Sequence, residues 1–191
     1  MSSPVRSLVW LLVGMLAAGP AAASKWLYEL DGTSQVAFSA DSGAGRITGS
    51  IPVADARLHL DLDQVSQSSI SVTLNAASAK ANSPFAAGAM KGPGILDTGH
   101  YPTIQFRSTS VTRRGNGVQV VGDLTIRGQT RPVRLDGSLS RSQQTDPESL
   151  DHLRIHLTGA IHRSAFGASG WSDTVGDVVR LDIIARISRR Q

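Results

Sequence analysis

Apolar and polar side chains alternate one by one through much of the chain. Val36 and Phe38 stand between Gln35, Ala37 and Ser39. The same period of two runs through 58–63 (LHLDLD), 69–75 (SISVTLN), 104–107 (IQFR), 118–120 (VQV), 124–127 (LTIR), 133–136 (VRLD), 153–158 (LRIHLT) and 179–183 (VRLDI). Successive side chains of a strand point to opposite faces, so each stretch predicts a strand with one apolar and one polar face. Strands of a parallel α/β sheet read instead as continuous apolar runs, which excludes that class. Turn residues separate the stretches at 41–45 (DSGAG), 114–117 (RGNG) and Gly128-Gln129, and Asn116-Gly117 is a strong hairpin signal. The total is about eight or nine strands.

A sheet with one apolar face must cover it. The only stretch with helical character runs from Ser83 to Lys91, with Ser83 placed as cap and Pro84 in the first turn. One short helix cannot cover a whole sheet. The fold class expected is therefore all-β: an antiparallel barrel of about eight strands, with a short helical segment near one end. The polar residues 140–151 read as a hairpin connection rather than a domain boundary.

The N-terminus departs from this pattern. Arg6 precedes an unbroken apolar run, Leu8 to Ala18, which Gly19-Pro20 ends and Ala21-Ala22-Ala23-Ser24 follows. That is the order of a cleaved secretory signal, and the run is short of the ~20 residues that span a bilayer. The expectation is a signal peptide over 1–23 and one domain over 24–191, periplasmic or secreted. The chain contains no cysteine, which removes disulfides, thiolate metal sites, thiol catalysis and a lipid-anchoring cysteine.

Charge adds little. The formal net charge of +4 falls to +3 once Arg6 is removed with the signal. The basic residues are scattered, so nucleic-acid binding is not expected, while transient contact with an anionic membrane surface fits a mild positive charge. His152 and His156 lie ~13 Å apart along one strand, too far to share a metal. His59, Asp61 and Asp63 are expected on the outward face of another strand, without the glycine-centred loop of a calcium site. No nucleophile elbow, P-loop or dinucleotide fingerprint is present. His162, Ser164 and Asp173 are near in sequence, but nothing orients them as a triad. No catalytic residue, metal or cofactor is expected. Apolar mass outside the strands is the remaining signal: Phe85, Met90, Ile95 and Leu96 in one insertion, Phe166 and Trp171 in a Gly/Ser-rich loop. Such residues suit either a lid and mouth or a plug for the barrel end.

Tyr101 to Thr109 (YPTIQFRST) and Val121 to Leu135 (VGDLTIRGQTRPVRL) closely resemble the YceI family of lipocalin-like periplasmic proteins. Trp26 to Phe38 resembles the family's opening hairpin, and Ser69 to Ser78 its strand leading into the helical segment. His162 to Gly167 (HRSAFG) with Val175 to Val179 (VGDVV) resembles its closing motif. The resemblance implies a barrel around a long hydrophobic tunnel that binds polyisoprenoids, such as isoprenoid quinones or polyprenyl phosphates, or other amphiphilic lipids. Two positions depart from the family. Thr33 replaces a histidine in the opening strand, and Ala86-Ala87-Gly88-Ala89-Met90 replaces an R-D-x-H-L motif, losing its polar members.

The expected function is non-catalytic binding, transport or sequestration of a long apolar lipid by a monomer or homodimer. Strand parity nominates Phe38, Leu60, Ile70, Val72, Phe106, Leu124, Ile126 and Leu181 for the tunnel wall. Phe85, Met90, Ile95 and Phe166 are nominated for its mouth. Two alternatives stay open: a stress-associated interaction module with a filled core, and an enzyme acting on a bound small molecule.

Overall fold

The alternating stretches fold as strands. The computed structural model describes residues 26–43, 45–141 and 150–190, so residues 1–23 and most of the 140–151 connection lie outside it. The strands are β1 (Trp26–Leu30), β2 (Gln35–Ser42), β3 (Gly45–Ile51), β4 (Val53–Leu60), β5 (Ser69–Asn75) and β6 (Lys80–Ala81), followed by helix α1 (Pro84–Lys91). After the helix come β7 (Thr103–Arg114), β8 (Gly117–Ile126), β9 (Gln129–Arg141), β10 (His152–His162) and β11 (Val175–Arg189). Antiparallel pairing runs β1-β4-β5-β7-β8-β9-β10-β11 and returns from β11 to β1. This closed ring of eight is the barrel that the alternation predicts.

Two of the strands are broken. β11 pairs with β1 at Leu30↔Ile187 and with β2 at Gln35↔Ile184, so β1 and β2 lie end to end along one edge. They are one interrupted strand and not the opening hairpin expected. The chain loops out between them, and Ser34 bridges the gap. Its hydroxyl donates to the Arg186 carbonyl and accepts from the Arg186 N–H, each at 3.0 Å. Pro52 divides β3 from β4, at a position where a proline cannot donate to the ladder. β3 continues beside β2 to the short β6, and β4 continues between β1 and β5.

The hairpins follow turn chemistry with one shift. β7 ends at Arg114 and β8 begins at Gly117, so the loop is Gly115-Asn116 rather than Asn116-Gly117. Gly115 takes φ 53°, a left-handed backbone in the first loop position, where glycine carries no penalty. The β8–β9 loop is Arg127-Gly128, both with positive φ.

Inward-facing apolar residues form three clusters stacked along the barrel. β10 passes through all of them at Ile161, Leu157 and Leu153. The first cluster lies beside α1 and contains Ile104, Leu124, Ile126 and Phe166, with Met90, Ile95 and Leu96 packed on it. The last gathers Tyr28, Leu58, Leu60, Leu153 and Ile187. Helix α1 begins as its sequence predicts: Pro84 is its first residue, and the Ser83 hydroxyl accepts from the Ala86 N–H at 3.1 Å.

Candidate functional site

Many inward-facing side chains are only half-buried, among them Phe38, Ile70, Val72, Phe106, Leu181 and Ile183. They face the barrel interior, so their remaining accessible surface borders a void. The barrel is hollow, with a cavity of about 790 Å³. That lies within the ~300–1,000 Å³ range of ligand pockets. Its wall runs from Leu58, Leu60 and Asp61 at one end to Phe85, Met90 and Trp171 at the other. Phe85 and Trp171 are 71% and 53% exposed, so the cavity comes to the surface at this end. Their rings meet edge to face, with centroids 5.6 Å apart.

All twelve nominated residues stand on this wall: Phe38, Leu60, Ile70, Val72, Phe106, Leu124, Ile126 and Leu181 along the barrel, and Phe85, Met90, Ile95 and Phe166 near the aromatic end. The segment that departs from the family pattern also faces inward. Ala86, Ala89 and Met90 occupy one side of α1 and border the cavity.

Three charged side chains border the cavity among the described residues: Asp61, Arg113 and Arg163. Two of them correct the sequence reading. Asp61 is fully buried rather than outward-facing. The reason is that β4 ends at Leu60, so strand parity stops there. Asp61 Oδ1 accepts from the N–H groups of Asp63 (3.1 Å) and Gln64 (2.6 Å), closing the turn, while Oδ2 is buried without a hydrogen-bond partner. His59 and Asp63 are exposed, as expected. Arg163, one of the scattered basic residues, is 7% exposed, where an arginine is ordinarily on the surface. It follows His162, the last residue of β10, and the short 3-10 turn of residues 163–166 carries it inward.

The Arg163 guanidinium is held by main-chain carbonyls. Nε donates to Gly176 (3.0 Å), Nη1 to Ala168 and Gly170 (both 2.6 Å), and Nη2 to Val175 (2.8 Å). These bonds shape the segment between β10 and β11, which meets the segment after α1 where the Gly170 N–H donates to the Gly94 carbonyl at 2.8 Å. A Cβ on Gly170 would sit 2.9 Å from that carbonyl oxygen, so the approach requires glycine.

Among the described residues the other polar groups lie in separate pairs. His156 faces outward to Asp182 at 3.0 Å. His162 Nδ1 lies 2.9 Å from Asp177 Oδ2, and the Ser164 N–H donates to Asp177 Oδ1 at 2.9 Å. The two therefore share Asp177 instead of contacting each other, and Asp173 is not their partner. Among the described residues no group of histidine and carboxylate side chains is placed to hold a metal.

A family model described as a YceI-like domain matches residues 28–186. The chain belongs to the YceI family. Among curated YceI relatives, a UPF0312 protein of Yersinia pestis is 30% identical over 148 residues, covering 74% of this chain and 76% of its own length. Protein YceI of Escherichia coli is 31% identical over 137 residues, 70% of each chain. Among solved structures, BcnA of Burkholderia cenocepacia superposes with a TM-score of 0.73 at 22% identity, covering 83% of this chain and 99% of its own. A polyisoprenoid binding domain from Saccharophagus degradans gives 0.59 at 12% identity, covering 85% and 98%. These structural likenesses carry the fold: a closed lipocalin-like antiparallel barrel.

Proposed function

We propose that this YceI-family chain is a non-catalytic binding protein. It takes the long apolar chain of an isoprenoid-type lipid into the barrel and carries or sequesters it in the periplasm or outside the cell. The carrying observation is the cavity: about 790 Å³, reaching the surface, with aliphatic and aromatic side chains over most of its wall. The structural neighbour that binds polyisoprenoids supports the ligand class. The signal-like N-terminus supports the compartment.

The energetics suit a carrier. Exposing a lipid chain to water costs ~0.8 kcal/mol per methylene. A barrel that receives it from a membrane recovers a similar amount. The two terms nearly cancel, so fit along the wall and closure of the mouth decide occupancy. A filled core is disfavoured by the half-buried inward side chains. An enzymatic role would need convergent ionisable groups; of the three on the wall, Asp61 and Arg163 stand toward opposite ends, and the Arg113 guanidinium donates to the Leu62 carbonyl.

Native mass spectrometry of the purified mature protein, followed by organic extraction, tests the reading. Release of a stoichiometric apolar lipid is expected. A protein that stays empty after exposure to isoprenoid-containing membranes overturns it.

A further inference from the structure

Helix α1 is apolar on every side, yet none of its residues is buried. Its sequence, PFAAGAMK, has no polar side chain before Lys91. Ala86, Ala89 and Met90 take the side that borders the cavity. Pro84 and Gly88, one turn apart, form the opposite side and are exposed. A helix that is apolar all round is ordinarily covered all round. The exposed aromatic side chains among the described residues gather at the same end: Phe85, Tyr101 and Trp171. Tyr101 stands over the β8–β9 loop, its ring 3.2 Å from where a Cβ on Gly128 would sit. Arg127 of that loop donates to the carbonyls of Ile95 and Gly167, on the segments after α1 and before β11. Apolar surface thus surrounds the mouth on its outer side as well as its inner one.

Chemistry and charge select what covers this surface. Trp and Tyr are the side chains that settle at the boundary of a bilayer, with the ring at head-group level. Lys80, ahead of the helix, and Lys91, at its end, form no ion pair among the described residues. A lysine beside an apolar surface buries its stem and keeps its ammonium among anionic head groups. The acids nearby are mostly engaged: Asp97 faces His100, and Asp177 faces His162 and Ser164. Asp173 is the exposed acid left on these segments. The balance favours a negatively charged, apolar-backed surface, which is what an anionic bilayer presents.

We propose that the open end of the barrel docks on a bilayer containing anionic lipid. The outer side of α1, Phe85, Tyr101 and Trp171 enter the interfacial layer, and Lys80 and Lys91 lie against the head groups. The surface is small, so docking is reversible, as it is for a single acyl anchor. This deepens the reading of the cavity as a lipid site, on which its purpose rests: a lipid that passes through a mouth pressed to the bilayer is spared exposure of its methylenes to water. The docking surface itself is read from exposure and charge.

The test mixes the mature protein with vesicles of phosphatidylcholine alone, or of phosphatidylcholine and phosphatidylglycerol in equal parts. Co-sedimentation should be about threefold to tenfold stronger with phosphatidylglycerol. With Trp26→Phe, Trp171 is the sole tryptophan once the signal is removed, and brominated phosphatidylcholine in the vesicles should quench it. Gly88 does not border the cavity, and a Cβ there meets nothing within 4 Å, so G88E and G88K should fold and keep their lipid. On the anionic vesicles Gly88→Glu should weaken binding about fivefold and Gly88→Lys should strengthen it by a similar factor. Phe85→Ser should weaken binding about tenfold on both vesicles. Binding to neither vesicle overturns the proposal. So does binding that leaves Trp171 unquenched or ignores the charge at position 88, since the contact then lies elsewhere. Self-association without lipid that is lost in F85S also overturns it, assigning the surface to a second copy. A protein that releases lipid in native mass spectrometry but never docks overturns the docking alone; one that docks but stays empty overturns the lipid site alone.

Discussion

The Phe85 ring meets the Trp171 ring edge to face at 5.6 Å and 82°, joining helix α1 to the segment between β10 and β11 across the open end of the cavity. Both rings are largely exposed, so they contribute little to the core. Trp171 holds a left-handed backbone at φ 61°, a conformation that costs a non-glycine residue about 1–2 kcal/mol. Such an aromatic pair is worth ~0.5–1.5 kcal/mol. If the pair must part for a ligand to pass, Trp171→Gly removes the contact and relieves the backbone together. Global stability should change by less than about 1 kcal/mol. Ligand exchange should speed up about threefold to tenfold. Stopped-flow release of a fluorescent fatty chain reads the exchange rate, and a rate equal to wild type counts against the pair as a closure.

A second prediction concerns the thickness of the wall. Gly159 faces inward on β10 opposite Leu135 of β9. A Cβ there would lie 2.7 Å from Leu135 Cδ2 and 2.8 Å from the Arg134 carbonyl oxygen. Leu135 can change rotamer, but the carbonyl belongs to the β9 ladder and cannot yield without shifting the strand. Gly159→Ala should therefore destabilise by ~1–3 kcal/mol, the usual cost of overpacking. Urea unfolding should show a lower midpoint at unchanged slope. An unchanged midpoint would mean that the sheet moves at no cost.

These two sites show how far the sequence reaches. Period two places Phe38, Ile70, Phe106 and Leu181 on the inner face, because each sits inside an unbroken ladder where parity is geometric. Arg163 lies one residue past the end of β10, where parity no longer applies, and arginine is ordinarily exposed. Parity fails where the ladder ends: Asp61 follows the last residue of β4 and turns in to close a loop. It also resets at bulges. β7 is irregular between Ser108 and Ser110, so Phe106 and Val111 both line the cavity despite opposite parity. The hollow interior has no sequence signature of its own, since an apolar inner face can equally fill a core. The family motifs supplied that step.

Asp61 offers a third prediction. Its Oδ1 takes the N–H groups of Asp63 and Gln64 and so closes the turn, and its Oδ2 takes none. Asp61→Ala removes both bonds and should cost about 1–3 kcal/mol, taking ~0.5–1.5 kcal/mol for each. Asp61→Asn keeps the accepting oxygen and puts a neutral amide NH2 in the place of the unpaired one, so it should cost less than the alanine variant. Chemical denaturation of both variants gives the comparison. Equal losses in the two would show that the second carboxylate oxygen also has a partner in solution.

The last prediction follows from Asp177. Its carboxyl is held below the ordinary value of 3.8, first by the Ser164 N–H that donates to it, then by the Ser164 side chain and by His162. A group depressed on folding favours the folded form in full above its unfolded value. That contribution disappears as pH falls through the lower folded value. Asp177 is exposed, so solvent screening keeps the effect on global stability small, and the sensitive readout is local. The bonds to Ser164 and His162 anchor the start of the segment that carries Trp171. In a Trp26→Phe background Trp171 is the sole tryptophan once the signal is removed. Its quenching by acrylamide should stay constant from pH 7 to about 5 and rise as pH drops below the usual carboxylate range near 4. Asp177→Asn should show the raised quenching at every pH, with the step near the carboxylate range lost. A step that survives in D177N would assign the acid sensitivity of the mouth to a different carboxylate, with Asp173 on the same segment the next to substitute.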